Sequence, residues 1–436
     1  MAATQTVVKS WTSRLAKSCS LAVGGCLLFA AAFPLLFWNE DNGVRTAQAL
    51  DEAQENCVPL ADAASVNPEA EGKIVYLTGN AVGSAALEDK PFALSAEGIR
   101  LTRHVEFYQW VEDKQEATEK QVGGSTKTTY IYTYHTKWVA APVGSDRFYE
   151  RGHENIRAWE GIDDEPFFTD TVHVGAYRLR PDQMERIGGK PWNMDFIDPN
   201  LMAQFRVITD FFNNAEAPRV CHDKAFSLRG YQLPEELRSH CEIRGDEVYI
   251  HVFSGSLRGD GHYEFPSDPQ VGDMRVRWTL VPSAVPVTLI AQQHGDSFVP
   301  YISKGCRGTV NLIRDGEWAV DELFEDAAAN NKLLTWGLRG LGFLMLFFGL
   351  MLLAKPLEIL ADVLPPIGNI VAFLTIPACF VLALAIALGT IAVAWLAARP
   401  VLACSLLALS VFFVLYLLLR RKSAEEEPQG PSPDSL

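Results

Sequence analysis

Leu21–Trp38 reads LAVGGCLLFAAAFPLLFW, eighteen residues without a charge. As an α-helix the run rises about 27 Å, close to the roughly 30 Å hydrocarbon core of a bilayer. Trp38 ends it where an aromatic ring belongs at a membrane interface. Lys9, Arg14 and Lys17 precede it, and the first acid is Glu40. A cleaved signal sequence would have a shorter apolar stretch ending in small residues, whereas this one ends Phe33-Pro34-Leu35-Leu36-Phe37. The run predicts a retained span at 21–38, with 1–20 as a tail.

The same reasoning carries to the other end of the chain. Gly340–Ala354 (GLGFLMLFFGLMLLA) is fifteen uncharged residues, about 22 Å of helix. Leu333, Leu334, Trp336 and Leu338 must extend it, so the span is placed at 336–354. Arg339 is then drawn to the head-group layer. Snorkelling is the expected state, and pairing with Glu40 or Asp41 at the same depth is the alternative. Val363–Ala398 carries no charge, Arg399-Pro400 interrupts, and Val401–Leu419 is again uncharged. Proline cannot continue the helical ladder and arginine is costly at the bilayer centre. Two further spans are predicted, 370–397 and 401–419.

Four spans put both termini on one side. The flanks Lys9, Arg14, Lys17 and Arg420, Arg421, Lys422 assign that side to the cytoplasm. The domain 39–335 is then expected on the opposite face. Residues 355–369, which begin KPLEILADVLPP, are expected as a short cytosolic amphipathic connection. The acidic, Pro-rich 420–436 is expected as a disordered cytosolic tail. The fold class predicted is an α+β membrane protein, with four transmembrane helices and a large mixed, strand-rich domain.

Between the apolar blocks the chain reads like a water-soluble domain. A net charge of −15 excludes a nucleic-acid-binding class, which needs a basic footprint. Strands are predicted at Lys73–Leu77, Val105–Val111, Thr128–Val139, Glu247–Phe253, Met274–Val281 and Val287–Gln292, where apolar and polar residues alternate. Helices are predicted at 196–214 and at Asp315–Leu334, the second as a stalk into the membrane. Lys73–Leu77 (KIVYL) and Glu247–His251 (EVYIH) suggest a weak internal repeat. Cys57, Cys221, Cys241 and Cys306 lie in this domain without a CxxC pair. Disulfides and free thiols both remain open.

Candidate chemistry is sparse. No H-E-x-x-H, Gly-rich phosphate loop or nucleophile elbow occurs, so no catalytic residue, cofactor or metal is assigned. His104 and Glu106 share one strand face, as do Arg275 and Arg277. They could take a proton, a metal or an anionic head group, but cross-strand charge pairing is the favoured reading. Gly340, Gly342, Gly349, Ala372, Ala378 and Gly389 give the spans a small-residue packing surface. Arg339 and Arg399 are the only charges near the membrane segments from residue 336 onward, apart from their flanks.

Several segments resemble the transmembrane protein forty-three (LUMA) family. They are Leu101–Glu112 (LTRHVEFYQWVE), Val271–Val276 (VGDMRV), Val287–Pro300 (VTLIAQQHGDSFVP) and Thr335–Gly342 (TWGLRGLG). Asn39–Thr46, Glu71–Gly79 and Ala398–Pro400 agree more weakly. Trp159–Arg180 and the acidic tail depart from the pattern. The resemblance implies a four-span protein of the endoplasmic reticulum and inner nuclear membrane with a lumenal domain. It also implies self-association, contacts with emerin and lamins, and no enzymatic activity. A non-enzymatic membrane-organising scaffold is the leading functional expectation. The alternative is a lumenal module that binds, or acts on, a lipid or small ligand near the bilayer.

Overall fold

The computed structural model describes residues 2–60, 62–188, 223–259, 261–395, 404–405 and 408–416. Its helices are longer than the spans they contain. Helix α1 runs Trp11–Asn56, with the Ser10 hydroxyl accepting from the Ser13 N–H at its start. Past Trp38 its polar sequence still buries Ala49, Leu50 and Ala53, which pack against Ile74, Ile290 and Tyr301 of the domain. Helix α2 runs Val320–Ala361, its first turn capped by the Glu322 carboxylate accepting from the Ala319 N–H. The predicted stalk therefore starts five residues late. Asp315 ends a strand instead, and Gly316 turns the chain with φ +89°. Helix α3 follows at Pro365–Trp395. Residues 355–361, expected to be a connection, continue α2, because Leu357 and Ile359 prolong its apolar pattern.

These three helices are long and apolar enough to cross a membrane. The fourth predicted span is helical at 404–405 and 408–416, where Ser410 donates to the Ala385 carbonyl of α3 at 2.8 Å. The remainder of that span, Arg399, Cys221 and the predicted helix 196–214 lie outside the described residues.

Helices α1 and α2 pack antiparallel along a glycine seam. A Cβ on Gly342 would lie 2.5 Å from Leu36, and one on Gly349 would lie 2.9 Å from Phe29. Gly25, which the sequence reading passed over, meets Leu352 in the same way at 2.7 Å. Gly340 faces open space. Gly349→Leu is thus expected to force the pair apart and cost about 1–3 kcal/mol, whereas Gly340→Leu is expected to be neutral. Thermal unfolding of both variants in detergent checks this.

The domain is built from two sheets that meet at a corner. Its main strands are β1 (Ala2–Lys9), β2 (Ile74–Gly83), β3 (Leu94–Lys120), β4 (Thr126–Val139), β5 (Cys241–Arg244), β6 (Glu247–Ile250), β7 (Met274–Pro282), β8 (Val285–His294) and β9 (Leu312–Asp315). One sheet has the order β1-β4-β3-β7-β6-β5, and the other pairs β8 with both β2 and β9. All these pairings are antiparallel. The chain crosses between sheets from β2 to β3 and from β7 to β8. At the corner a Cβ on Gly98 would sit 2.6 Å from the Val281 carbonyl, beside a register break at Val281/Pro282. KIVYL falls in β2 and EVYIH in β6, in different sheets with different neighbours. The strand pairing lends the weak repeat no support, and alternation common to half-buried strands accounts for the likeness.

Several strands exceed their predicted bounds, β3 most of all, and β1 was not predicted as a strand. β3 extends nine residues past Val111, held by β4 in an unbroken antiparallel register to Lys120↔Thr126. Residues 2–20, expected as a tail, form β1 and the first turns of α1; β1 adds to β4 from Ala2↔Thr133 to Lys9↔Thr126. The result is a three-stranded ribbon projecting from the domain. Its tip turns at Gly123 and Gly124, with φ of +88° and +77°.

Candidate functional site

Polar side chains gather at the two ends of the helix pair and on one face of the larger sheet. At the domain-side end, Arg339 of α2 makes a bidentate pair with Glu40 of α1, Nε–Oε1 and Nη2–Oε2 both 2.6 Å. Glu40 is 1% exposed. Trp395 of α3 donates its Nε1–H to the same carboxylate. The guanidinium lies over the rings of Trp336 and Trp395, at 4.7 and 5.4 Å. Arg339 is therefore paired instead of snorkelling. The pair ties three helices together where α1 and α2 leave the apolar stretch.

At the opposite end the ribbon tip meets the helices. Asp362 caps α2 and is 2% exposed. It accepts from Arg14 of α1 at 2.5 Å and from Lys120 of β3 at 2.7 Å. Lys120 also donates to Asn369. Arg14 donates to the Gly124 carbonyl, and the Trp11 indole N–H donates to the Ile359 carbonyl at 2.9 Å. Burial works against the Asp362 charge, but the hydrogen bonds from Lys120 and Arg14 outweigh it and hold the carboxyl below its usual range. One carboxylate thus joins α1, α2 and the ribbon.

On the sheet, the structure brings His104, Glu106, Arg275 and Arg277 onto one face. Arg275 lies opposite Glu106 in register and bonds it at 2.5 Å, with Trp138 below the guanidinium at 4.7 Å. Arg277 lies opposite His104 and is exposed, while His104 Nε2 sits 3.1 Å from the Thr279 hydroxyl. His104 and Arg277 border a half-open cleft of about 350 Å³, alongside Phe226, Asp246 and Glu247. The acids beside the arginine and the engaged Glu106–Arg275 pair make this a polar strand face. Among the described residues no group of three or more His, Cys, Asp or Glu could hold a metal ion.

The most deeply engaged charge was missed by the sequence reading. Arg103 is 2% exposed, on the apolar face of β3 between Leu101 and Val105. It donates to Asp89 at 2.7 Å, to the Asp163 carbonyl at 2.9 Å and to Glu165 at 2.8 Å. Trp278 Nε1 donates to the other Asp89 oxygen at 2.8 Å. Burial drives the Asp89 carboxyl up, against the pull of Trp278 and Arg103.

A second clamp joins α1 to the domain. Glu52 accepts from the Ser303 hydroxyl at 2.6 Å, the Lys304 N–H at 2.9 Å, the Tyr301 hydroxyl at 2.8 Å and the Gly305 N–H at 3.2 Å. These bonds, Ser303 foremost, lower its carboxyl from 4.5 to about 2. A depressed carboxyl contributes stability above its unfolded value, lost as pH falls through the folded one. The thermal midpoint of the native chain is therefore expected to exceed that of Glu52→Gln above pH 4.5, with the gap closing as pH falls toward 2. Melting curves across that range check it. The described domain cysteines are free, and burial pushes Cys57 up to about 11 and Cys241 up to about 12, leaving unreactive thiols.

The family model for Transmembrane protein 43 matches residues 107–400. Mouse Transmembrane protein 43 is 30% identical over 389 residues, covering 86% of this chain and 84% of that protein. The human protein is 29% identical over 404 residues, 90% and 88% of the two chains. The Drosophila melanogaster homolog is 29% identical over 399 residues, 89% and 92% of the two. No solved structure matches. With the match running from the ribbon through the spanning helices and relatives aligned nearly end to end, the chain belongs to the Transmembrane protein 43 family.

Proposed function

We propose that the protein is a non-enzymatic, membrane-organising scaffold of the endoplasmic reticulum and inner nuclear membrane. Its domain lies in the lumen and its termini on the cytosolic or nucleoplasmic side. It works by self-association and by holding protein partners, with emerin and lamins as the partners the family resemblance suggests. The observation that carries this reading is the distribution of charge in the helices. Between Lys17 and Glu40 in α1, and between Arg339 and Lys355 in α2, there is no ionisable Asp, Glu, Lys, Arg or His; α3 carries none at all. Transport and proton relay need such groups within the bilayer. The charges stand instead at the two ends, where they join helices to one another and to the domain. That is the design of a stiff tether.

Chemical cross-linking in native membranes, followed by affinity purification and mass spectrometry, tests the proposal. Multimers of the chain and stable co-purifying membrane-envelope proteins are expected. Monomers alone, with no stable partner, would overturn it.

A further inference from the structure

The ribbon presents a physical difficulty that one arrangement resolves. Its base leaves the sheet near Phe107 and Val139, where β3 parts from β7. Its tip is bonded to Arg14, Val363 and Asp362, at the ends of α1 and α2 far from the domain. The other end of α1, around Ala49 and Ala53, is packed inside the domain. Base and tip therefore bracket the apolar runs 21–38 and 340–354. From Glu112 to Lys120 the strand rises about 27 Å, the same length as the first apolar run. The ribbon stands alongside the spanning helices at bilayer depth.

Its faces are largely polar, with Val8 and Ile131 as exposed exceptions. One face carries Tyr130, Tyr132, Lys114 and Glu116, and the other carries Asp113, Gln115, Thr133 and Lys127. Its outer edge is also open. The Tyr108 N–H donates to Asp273 and its carbonyl accepts from Gly272, so even-numbered residues of β3 direct their backbone groups away from β4. At Trp110 the Asn155 side-chain amide takes over, accepting from the N–H at 2.7 Å and donating to the carbonyl at 2.9 Å. From Glu112 to Lys120 no strand follows on that side among the described residues. Among the described residues β1 likewise has no strand on the side away from β4. Strand edges do not occur against lipid; at membrane depth they are covered by protein or line an enclosed aqueous space.

We propose that neighbouring copies of this chain join edge to edge, the β1 edge of one pairing with the 112–120 edge of β3 of the next. This rests on the scaffold reading and gives its self-association an interface. Each copy carries both edges at the same depth. β1 and β3 each run antiparallel to β4, so they run parallel to each other. A rotation about the membrane normal brings one against the other, and repetition closes a ring. Charge favours the match: residues 112–120 hold Glu112, Asp113, Glu116 and Glu119 against Lys114 and Lys120, while β1 has Lys9 and no acid. Joined this way, the polar ribbons face one another and an enclosed centre, with the helices outside toward lipid.

Full-length chain in native membranes tests this with Thr6→Cys combined in turn with Gln115→Cys, Ala117→Cys and Glu119→Cys, which lie on the same face as Thr6, under mild oxidation. At least one combination is expected to give a ladder at multiples of the chain mass beyond the dimer, while single variants and the native chain do not. Glu116→Pro removes only an outward N–H, which an edge strand tolerates. It is expected to keep the native melting temperature but to lower the cross-linked fraction at least tenfold. If no combination cross-links and Glu116→Pro assembles normally, the edge interface is overturned while self-association stands. Monomers throughout would overturn both. Adducts whose masses are not multiples of the chain would show a foreign strand on the edge and also overturn the proposal.

Discussion

Glu40→Ala is expected to destabilise the helix bundle by about 3–5 kcal/mol, the usual cost of removing one partner from a buried ion pair. Arg339 would keep its charge among Trp336, Trp395 and apolar helix faces, with its bidentate acceptor gone. Trp395 would also lose the carboxylate to which its indole N–H donates. The double replacement Glu40→Leu with Arg339→Met removes both charges and is expected to recover most of the loss, because an apolar pair of similar volume satisfies the same space. What remains lost is the Trp395 hydrogen bond, about 1 kcal/mol. Helix content against temperature in detergent separates the cases. A Glu40→Ala variant as stable as the native chain would show that Arg339 finds solvent after all.

Arg103→Ala is expected to be as damaging to the domain, at about 3–5 kcal/mol. Asp89 is 0% exposed, and without the guanidinium it would keep only the Trp278 N–H as a described side-chain partner. Burial already pushes its carboxyl up, so the variant is expected to take up a proton there on folding. Its deficit relative to the native chain should then be smaller at low pH than at neutral pH, since a raised carboxyl favours the folded state below its folded value. The fluorescence of the ten tryptophans, Trp278 among them, reports unfolding. Asp89→Asn in the Arg103→Ala background should remove that dependence on pH. An Arg103→Ala chain with native stability at neutral pH would refute the assigned role.

The difference between these two sites shows what the sequence makes legible. Arg339 and Glu40 flank apolar runs of known length, so bilayer thickness alone places them at one depth; Trp395, fifty-five residues past the apolar start at Gly340, has no such marker. Arg103 was hidden by alternation itself. In LTRHVEF the eye follows His104 and Glu106 on the polar face, while Arg103 shares the inner face with Leu101, Val105 and Phe107. Only its partner Asp89, at the end of the short strand Ala86–Asp89, and Trp278, on β7, explain a charge there. Each of the six predicted strands overlaps an observed one, but 94–104 of β3, β5 and β9 were not read as strands. Beyond Val111 both faces of β3 are polar, so the pattern that marks a strand ends while the strand goes on. β1 is legible only together with β4, some 120 residues later, since AATQTVVK alone carries no strong alternation.

The ribbon reaches the far ends of helices long and apolar enough to cross a membrane. Single cysteines at Val122, on the tip and 86% exposed, and at Leu257, on the domain surface and 65% exposed, make this measurable. Sealed vesicles are treated with a membrane-impermeant thiol reagent before and after permeabilisation. The two positions are predicted to label from opposite sides of the membrane. Labelling of both from the same side would contradict the account.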